Sequence, residues 1–130
     1  MTSSALPALL GVASVAVGGA AGSVLRYLVS LTFKAAPGAF PTGTLAVNLL
    51  GSLLIGACAA FAERGAPWVR PWLMTGFLGG FTTFSAFSLE NMRLLRDGHM
   101  GTALAYALTS VAAGIVLAFA GYAAVRGQGG

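Results

Sequence analysis

Four long stretches of almost unbroken hydrophobic residues divide the chain, and polar residues are concentrated in the short segments between them. These stretches run from about residue 8 to 33, 43 to 62, 70 to 95 and 100 to 125. Each is close to the roughly 20 residues that an α-helix needs to cross the hydrocarbon core of a bilayer. The pattern therefore predicts an all-α membrane protein with four transmembrane helices, in a single domain covering residues 1–130.

The third stretch is interrupted near its middle by residues that hold a helix together poorly. From Gly76 to Ser88 it reads Gly-Phe-Leu-Gly-Gly-Phe-Thr-Thr-Phe-Ser-Ala-Phe-Ser. Glycine loses the most backbone entropy in a helix, and threonine hydroxyls compete for local hydrogen bonds. We therefore predict a break near residues 79–83, close to the middle of a segment about 39 Å long. Backbone groups released there cannot face lipid, so the break is a candidate ion site.

Composition supports a membrane protein and disfavours an enzyme. Hydrophobic residues make up 57% of the chain and charged residues only 8%, whereas a soluble domain has about 25% charged residues. The single cysteine, Cys58, has no partner for an internal disulfide, and no nucleophile with a base or metal-ligand cluster is found. The net charge of +4 indicates basic residues at helix ends and not a nucleic-acid partner.

The positions of the basic residues give almost no signal for orientation in the membrane. With the predicted helices, three lie on each side, and Arg26 shifts the count by only one. Because the Lys/Arg bias of short loops sets orientation, such a chain can insert both ways round. This predicts dual topology, which permits an antiparallel homodimer. The two groups are Lys34, Arg93 and Arg96 on one side and Arg64, Arg70 and Arg126 on the other.

Polar side chains inside the apolar stretches are candidates for function. Asn48 is interpreted either as a residue that forms a hydrogen bond between helices or as an N–H donor that faces an anion path. Arg26 is interpreted either as a side chain that reaches the membrane interface or as part of a polar vestibule. Glu90, near the end of the third stretch, is expected to pair with Arg93, three positions further on.

Aromatic residues follow the predicted break. Phe84 and Phe87 lie three positions apart and share one helix face. Such residues more often fill a core, but these lie beside the break and Ser85, and the edge of a phenyl ring is positive. They are therefore candidates for lining an anion path. In the fourth stretch, hydroxyl groups recur every four residues on one face, at Thr102, Tyr106 and Ser110.

Three motifs together resemble the Fluc (CrcB-type) family of fluoride channels. They are Gly-Gly-Ala-Ala-Gly at residues 18–22 followed by Arg26-Tyr27, Gly-Thr-Leu-Ala-Val-Asn at residues 43–48 followed by Gly51, and Gly-Phe-Leu-Gly-Gly-Phe-Thr-Thr-Phe-Ser-Ala-Phe at residues 76–87. The likeness covers nearly the whole chain, and the third motif is highly specific. One position departs from the family pattern, since Ala86 stands where the family usually has threonine and one hydroxyl of the polar path is missing.

The resemblance implies a fluoride channel that passively exports fluoride from a prokaryotic cell and relieves fluoride toxicity. It implies a dual-topology homodimer in the cell membrane, with two antiparallel pores. It also implies a structural sodium ion at the dimer interface, held by the backbone carbonyls of Gly79 and Thr82. Arg26 is a candidate vestibule residue. The implied fluoride path is lined by Asn48, Phe84, Ser85, Phe87, Tyr106 and Ser110.

Two other functions fit parts of the pattern. A small dual-topology multidrug exporter is also built from four helices, but a proton-coupled exporter needs a carboxylate in the membrane, and the first stretch offers Arg26 and no acid. A non-catalytic assembly subunit would use all of its polar residues for packing. That hypothesis predicts no ion flux in the purified protein.

Overall fold

The computed structural model describes residues 5–129, and all regular structure in this range is helical. The helices form four regions, and the third region consists of two helices. A short 3₁₀ turn follows the last helix. The helices are α1 (Ala5–Thr32), α2 (Thr42–Glu63), α3 (a π-helical stretch, Arg70–Leu78, continued by the α-helical turn Gly79–Phe81), α4 (Phe84–Arg96) and α5 (Met100–Arg126).

Three of the helices, α1, α2 and α5, are long and apolar enough to cross a membrane. The prediction of an all-α chain with four helical regions is therefore confirmed, and the chain has the helices of a multi-pass membrane protein. The third apolar stretch forms α3 and α4, which are shorter than the other three helices. Thr82 and Thr83 separate them.

Thr82 and Thr83 adopt extended backbone conformations, with φ/ψ of −81°/157° and −152°/122°. The Thr82 N–H still donates to the Leu78 carbonyl at 2.9 Å, so α3 keeps its hydrogen-bond pattern up to this point. The Thr83 hydroxyl accepts a hydrogen bond of 3.2 Å from the Ala86 N–H, which caps the start of α4. The two threonines thus end one helix and begin the next. We call these two residues the interruption.

Glycines let the helices pack with their backbones in contact. A Cβ added to Gly22 of α1 would overlap the Phe77 carbonyl oxygen of α3, and one added to Gly56 of α2 would overlap the Ala118 carbonyl oxygen of α5. A Cβ added to Gly121 of α5 would likewise overlap the Leu53 carbonyl oxygen of α2. In a bilayer, where hydrophobic burial drives helix association weakly, such close approach supplies the packing contacts. The helices therefore pair as α1 with α3 and α2 with α5.

Large apolar side chains cover the outside of the helices, as expected of a protein surrounded by lipid. Phe119 is 72% exposed and Val116 is 65% exposed, both on α5. Nine hydrophobic residues are buried within residues 5–129, and six of them form two clusters, which lie on either side of the interruption along the chain. The clusters are Val47, Leu78 and Phe81, and Leu94, Ala103 and Tyr106.

Candidate ion pathway at the interrupted helix

Asn48 of α2 holds the interruption through two hydrogen bonds to one residue. Its Nδ2 donates to the Thr83 carbonyl at 3.0 Å, and the Thr83 N–H donates to its Oδ1 at 2.8 Å. Both backbone groups of Thr83 are therefore paired although no helix supplies partners for them. An amide nitrogen carries two hydrogens, and the second makes no hydrogen bond within residues 5–129. Asn48 therefore makes the hydrogen bond between helical regions that was one of its two interpretations. A role of Asn48 in an anion path stays a prediction.

The carbonyl oxygens of Gly79 and Thr82 accept no hydrogen bond from the described residues. Both residues line a cavity of about 300 Å³, together with Asn48, Thr83 and Phe84. Carbonyl oxygens that face a polar cavity can replace the hydration shell of a cation. No group of three or more His, Cys, Asp or Glu side chains is placed to bind a metal within residues 5–129. The cavity therefore offers uncharged oxygens as cation ligands, and the carbonyls of Gly79 and Thr82 among them fit the sodium ion implied by the resemblance.

Arg26 reaches the same region from α1. Its Nε donates to the Gly80 carbonyl at 3.0 Å, and the Ser23 hydroxyl lies 3.5 Å from the same oxygen. The side chain is partly buried and lines a cavity of about 130 Å³ that Glu90 also lines. The Arg26 guanidinium thus contacts the main chain at the end of α3.

A row of aromatic rings leads from the interruption toward the loop between α1 and α2. The ring centroids of Phe84 and Phe87 are 5.5 Å apart, and those of Phe87 and Tyr106 are 5.0 Å apart. Phe40 continues the row, with its ring edge-on to Tyr106 at 5.5 Å. Phe84 is 78% exposed and Tyr106 is fully buried. The row therefore runs from an exposed ring through a fully buried one to the half-buried Phe40.

Glu90 occupies a different place from the one predicted for it. Thr44 donates to Glu90 Oε1 at 2.6 Å and the Tyr106 hydroxyl donates to Oε2 at 2.6 Å. The prediction that Glu90 pairs with Arg93 is wrong, because no ion pair of Glu90 occurs within residues 5–129. Helix spacing indicates only neighbours on the same helix, so it did not reveal Thr44 as a partner of Glu90. The available signal was an acidic residue inside an apolar stretch, which marks a functional position in membrane proteins.

The two remaining serines of the implied fluoride path have different surroundings. The Ser110 hydroxyl oxygen is buried and has no hydrogen-bond partner in the part of the chain that the structure describes. A buried polar group in this state costs about 1–3 kcal/mol, and Ser110 does not line either of the two cavities beside the interruption. Ser85 is exposed, and its hydroxyl lies 3.4 Å from that of Thr83.

A family model described as CrcB-like protein, Camphor Resistance (CrcB), matches residues 13–122 of the chain. The matched range contains the interruption, the cavities beside it and the aromatic row. The chain belongs to the CrcB family. The family suggested by the three sequence motifs is therefore confirmed for this CrcB protein.

Several relatives of this CrcB protein carry the name fluoride-specific ion channel FluC. The protein of Paracoccus denitrificans is 50% identical over 115 residues, which cover 87% of this chain and 92% of the relative. That of Rhizobium meliloti is 52% identical over 117 residues, covering 86% and 93%. That of Agrobacterium fabrum is 45% identical over 122 residues, covering 91% and 98%. The CrcB protein is thus a multi-pass cell-membrane protein of an ion-channel family and not an enzyme.

Proposed function

We propose that this CrcB protein is a fluoride channel that lets fluoride leave the cytoplasm passively and so relieves fluoride toxicity. The names of its relatives support fluoride as the ion. The structural observation that carries the proposal is the interruption between α3 and α4, held by Asn48 at the start of an aromatic row. Conduction requires sites that bind an ion weakly enough to release it. Ring edges provide such sites because they are positive and carry no fixed charge.

In the proposed path, fluoride moves along the ring edges of Phe84 and Phe87, between the interruption and Tyr106. The free amide hydrogen of Asn48 and the unpartnered hydroxyl of Ser110 supply hydrogen-bond donors to a small anion that has lost part of its hydration. The hydroxyl of Ser85 lies beside the interruption, 3.4 Å from that of Thr83. The residues of the proposed path are Asn48, Phe84, Ser85, Phe87, Tyr106 and Ser110.

The proposed assembly is an antiparallel homodimer of chains in opposite orientations, with two pores. In one protomer the cavity beside the interruption is open at the surface and has polar main-chain groups in its wall. Such groups cannot face lipid, so a second protomer has to cover them. An axis in the membrane plane brings the two α3–α4 interruptions together. In this arrangement α3 and α4 form one membrane crossing that is broken near the midplane.

The proposed dimer provides a site for one structural sodium ion. The Gly79 and Thr82 carbonyls of two protomers give four oxygens, and their lack of hydrogen bonds in the protomer supports this role. Sodium at an interface stabilises the dimer by mass action. Its positive charge also reduces the cost of holding fluoride nearby.

Purified protein in liposomes loaded with fluoride should release fluoride rapidly, as measured with a fluoride electrode. We expect no release of chloride from matched liposomes and no requirement for a proton gradient. A dimeric protein that releases no fluoride would favour the assembly-subunit hypothesis. Flux that stops when the proton gradient is removed would favour an exporter.

Adding two lysines to the loop between α1 and α2 should force one orientation. Ala35 and Ala36 are exposed in this loop, so Ala35→Lys with Ala36→Lys changes the charge balance without disturbing a contact. We expect cysteine labels in this loop to react on one side of the membrane only and flux to fall, because one orientation alone cannot form antiparallel pairs. The Ala35→Gln and Ala36→Gln pair is the control. One-sided labelling of the unmodified protein would contradict dual topology.

Replacing sodium by a large organic cation should lower the thermal stability of the dimer and stop fluoride flux. Gly79→Val should have the same effect at normal sodium, because a Cβ there meets only the Met74 carbonyl at 3.7 Å and the larger side chain projects into the cavity. Thr82→Ser should behave as the unmodified protein, since the ligand is a main-chain oxygen. If flux and dimer stability do not change when sodium is replaced by the organic cation, the carbonyl site is refuted.

A further inference from the structure

The carbonyl groups at the end of α3 have different hydrogen-bond partners. The Leu78 oxygen accepts from the N–H and the hydroxyl of Thr82, at 2.9 and 2.8 Å. The Gly80 oxygen accepts from Arg26 of α1. The oxygens of Gly79 and Thr82 accept nothing within residues 5–129. The residues that line the cavity include Gly79 and Thr82 but not Gly80. A side chain from another helix therefore holds the Gly80 carbonyl, whereas Gly79 and Thr82 line the cavity with carbonyls that have no such partner.

Arg26 is suited to hold a carbonyl at this position. The last carbonyls of a helix carry partial negative charge, which a cation stabilises, and hydrogen bonds from a charged donor are roughly twice as strong as neutral ones. The approach is close, since a Cβ added to Gly80 would overlap the Gly19 carbonyl oxygen of α1. No carboxylate forms an ion pair with Arg26 in the described part of the chain. Its protein acceptor there is the Gly80 carbonyl.

We propose that Arg26 is a positioning residue of the interruption. It holds the Gly80 carbonyl on the α1 side, while Asn48 holds Thr83 from α2. The two side chains together fix the backbone between them and leave the Gly79 and Thr82 carbonyls free in the cavity. Of the two measurements that test this inference below, only the second, on sodium, depends on the proposed sodium site.

A competing role for Arg26 is attraction of anions by its charge alone. That role requires the positive charge but not the hydrogen bond to Gly80. It predicts that removing the charge lowers flux while the interruption and its response to sodium stay unchanged. The two roles are therefore separable by measurements on the backbone.

The test compares Arg26→Gln and Arg26→Lys with Lys34→Gln. Lys34 is exposed in the loop after α1, so its substitution removes the same charge from the same end of the helix without touching α3. Hydrogen–deuterium exchange is measured on peptides covering residues 79–84. We expect about tenfold faster exchange there in Arg26→Gln, from the loss of one charged hydrogen bond, with α5 unchanged. Arg26→Lys should show a smaller increase and Lys34→Gln none.

The second measurement is the sodium concentration that gives half of the maximal thermal stabilisation of the dimer. We expect this concentration to rise about tenfold in Arg26→Gln and to stay unchanged in Lys34→Gln. Unchanged exchange at residues 79–84 in Arg26→Gln overturns the proposal, whatever happens to flux. If sodium does not stabilise the unmodified dimer, the proposed sodium site is refuted. The hydrogen–deuterium exchange at residues 79–84 then decides the role of Arg26 alone. If Arg26→Gln does not fold, the same comparisons are made with Arg26→Lys and Ser23→Ala.

Discussion

Replacing Asn48 by leucine should abolish fluoride flux and destabilise the protein by about 2–6 kcal/mol. Leucine has the branching and the number of heavy atoms of asparagine, though somewhat more bulk, but can neither donate to the Thr83 carbonyl nor accept from the Thr83 N–H. Two backbone groups are then unpaired in a protein interior surrounded by lipid, and each costs about 1–3 kcal/mol. The interruption relaxes, and the cavity beside it changes shape. Liposome flux and thermal unfolding measure the two effects.

Asn91 provides the matched control for this substitution. Its Nδ2 donates to the Phe87 carbonyl at 3.1 Å, within its own helix α4. Asn91→Leu removes an amide of the same size, but its hydrogen bond only supplements the helical pattern. We expect flux close to that of the unmodified protein. Substantial flux in Asn48→Leu, or an equal loss in Asn91→Leu, would contradict the role assigned to Asn48.

Replacing either Phe84 or Phe87 by isoleucine should lower fluoride flux by about a hundredfold, which corresponds to about 3 kcal/mol added to the barrier. Isoleucine keeps an apolar side chain but has no positive ring edge for an anion to contact. The dimer should survive, because isoleucine keeps most of the apolar bulk of either ring. Flux in liposomes and the oligomeric state in detergent are measured together.

Phe119 of α5 is the control for the loss of a phenyl ring. It is 72% exposed, close to the value for Phe84, but it lies outside the aromatic row. Phe119→Ile should leave flux unchanged. If Phe84→Ile and Phe87→Ile also leave flux unchanged, the aromatic rings contribute only to packing and the anion takes another path.

The helical regions were predictable from the sequence because the bilayer imposes a simple condition. A chain that crosses it has to satisfy its backbone groups by itself, which requires long apolar helices. The lengths of the stretches that contain Asn48 and Tyr106 were sufficient to predict α2 and α5. Glycine and threonine between Gly79 and Thr83 carried the local signal for the end of α3, since both residues have alternatives to the helix.

The partners of the polar side chains were not predictable in the same way. Spacing along a helix reveals only neighbours on that helix, so Glu90 was assigned to Arg93. In the structure Glu90 accepts from Thr44 and Tyr106, which belong to α2 and α5. The sequence likewise indicated that Asn48 needs a partner. It contained no information that this partner is the backbone of a residue 35 positions away.

The division of the third region into two short helices has a consequence for how the protein is made. α4 has 13 residues, or about 20 Å of helix, against a hydrocarbon core of about 30 Å. Neither α3 nor α4 is among the helices able to span a bilayer alone. As the chain leaves the ribosome, α1 and α2 can partition into the membrane unaided. We expect the third region to insert by docking on the glycines of α1 and on Asn48, so that its insertion depends on helices already in the membrane.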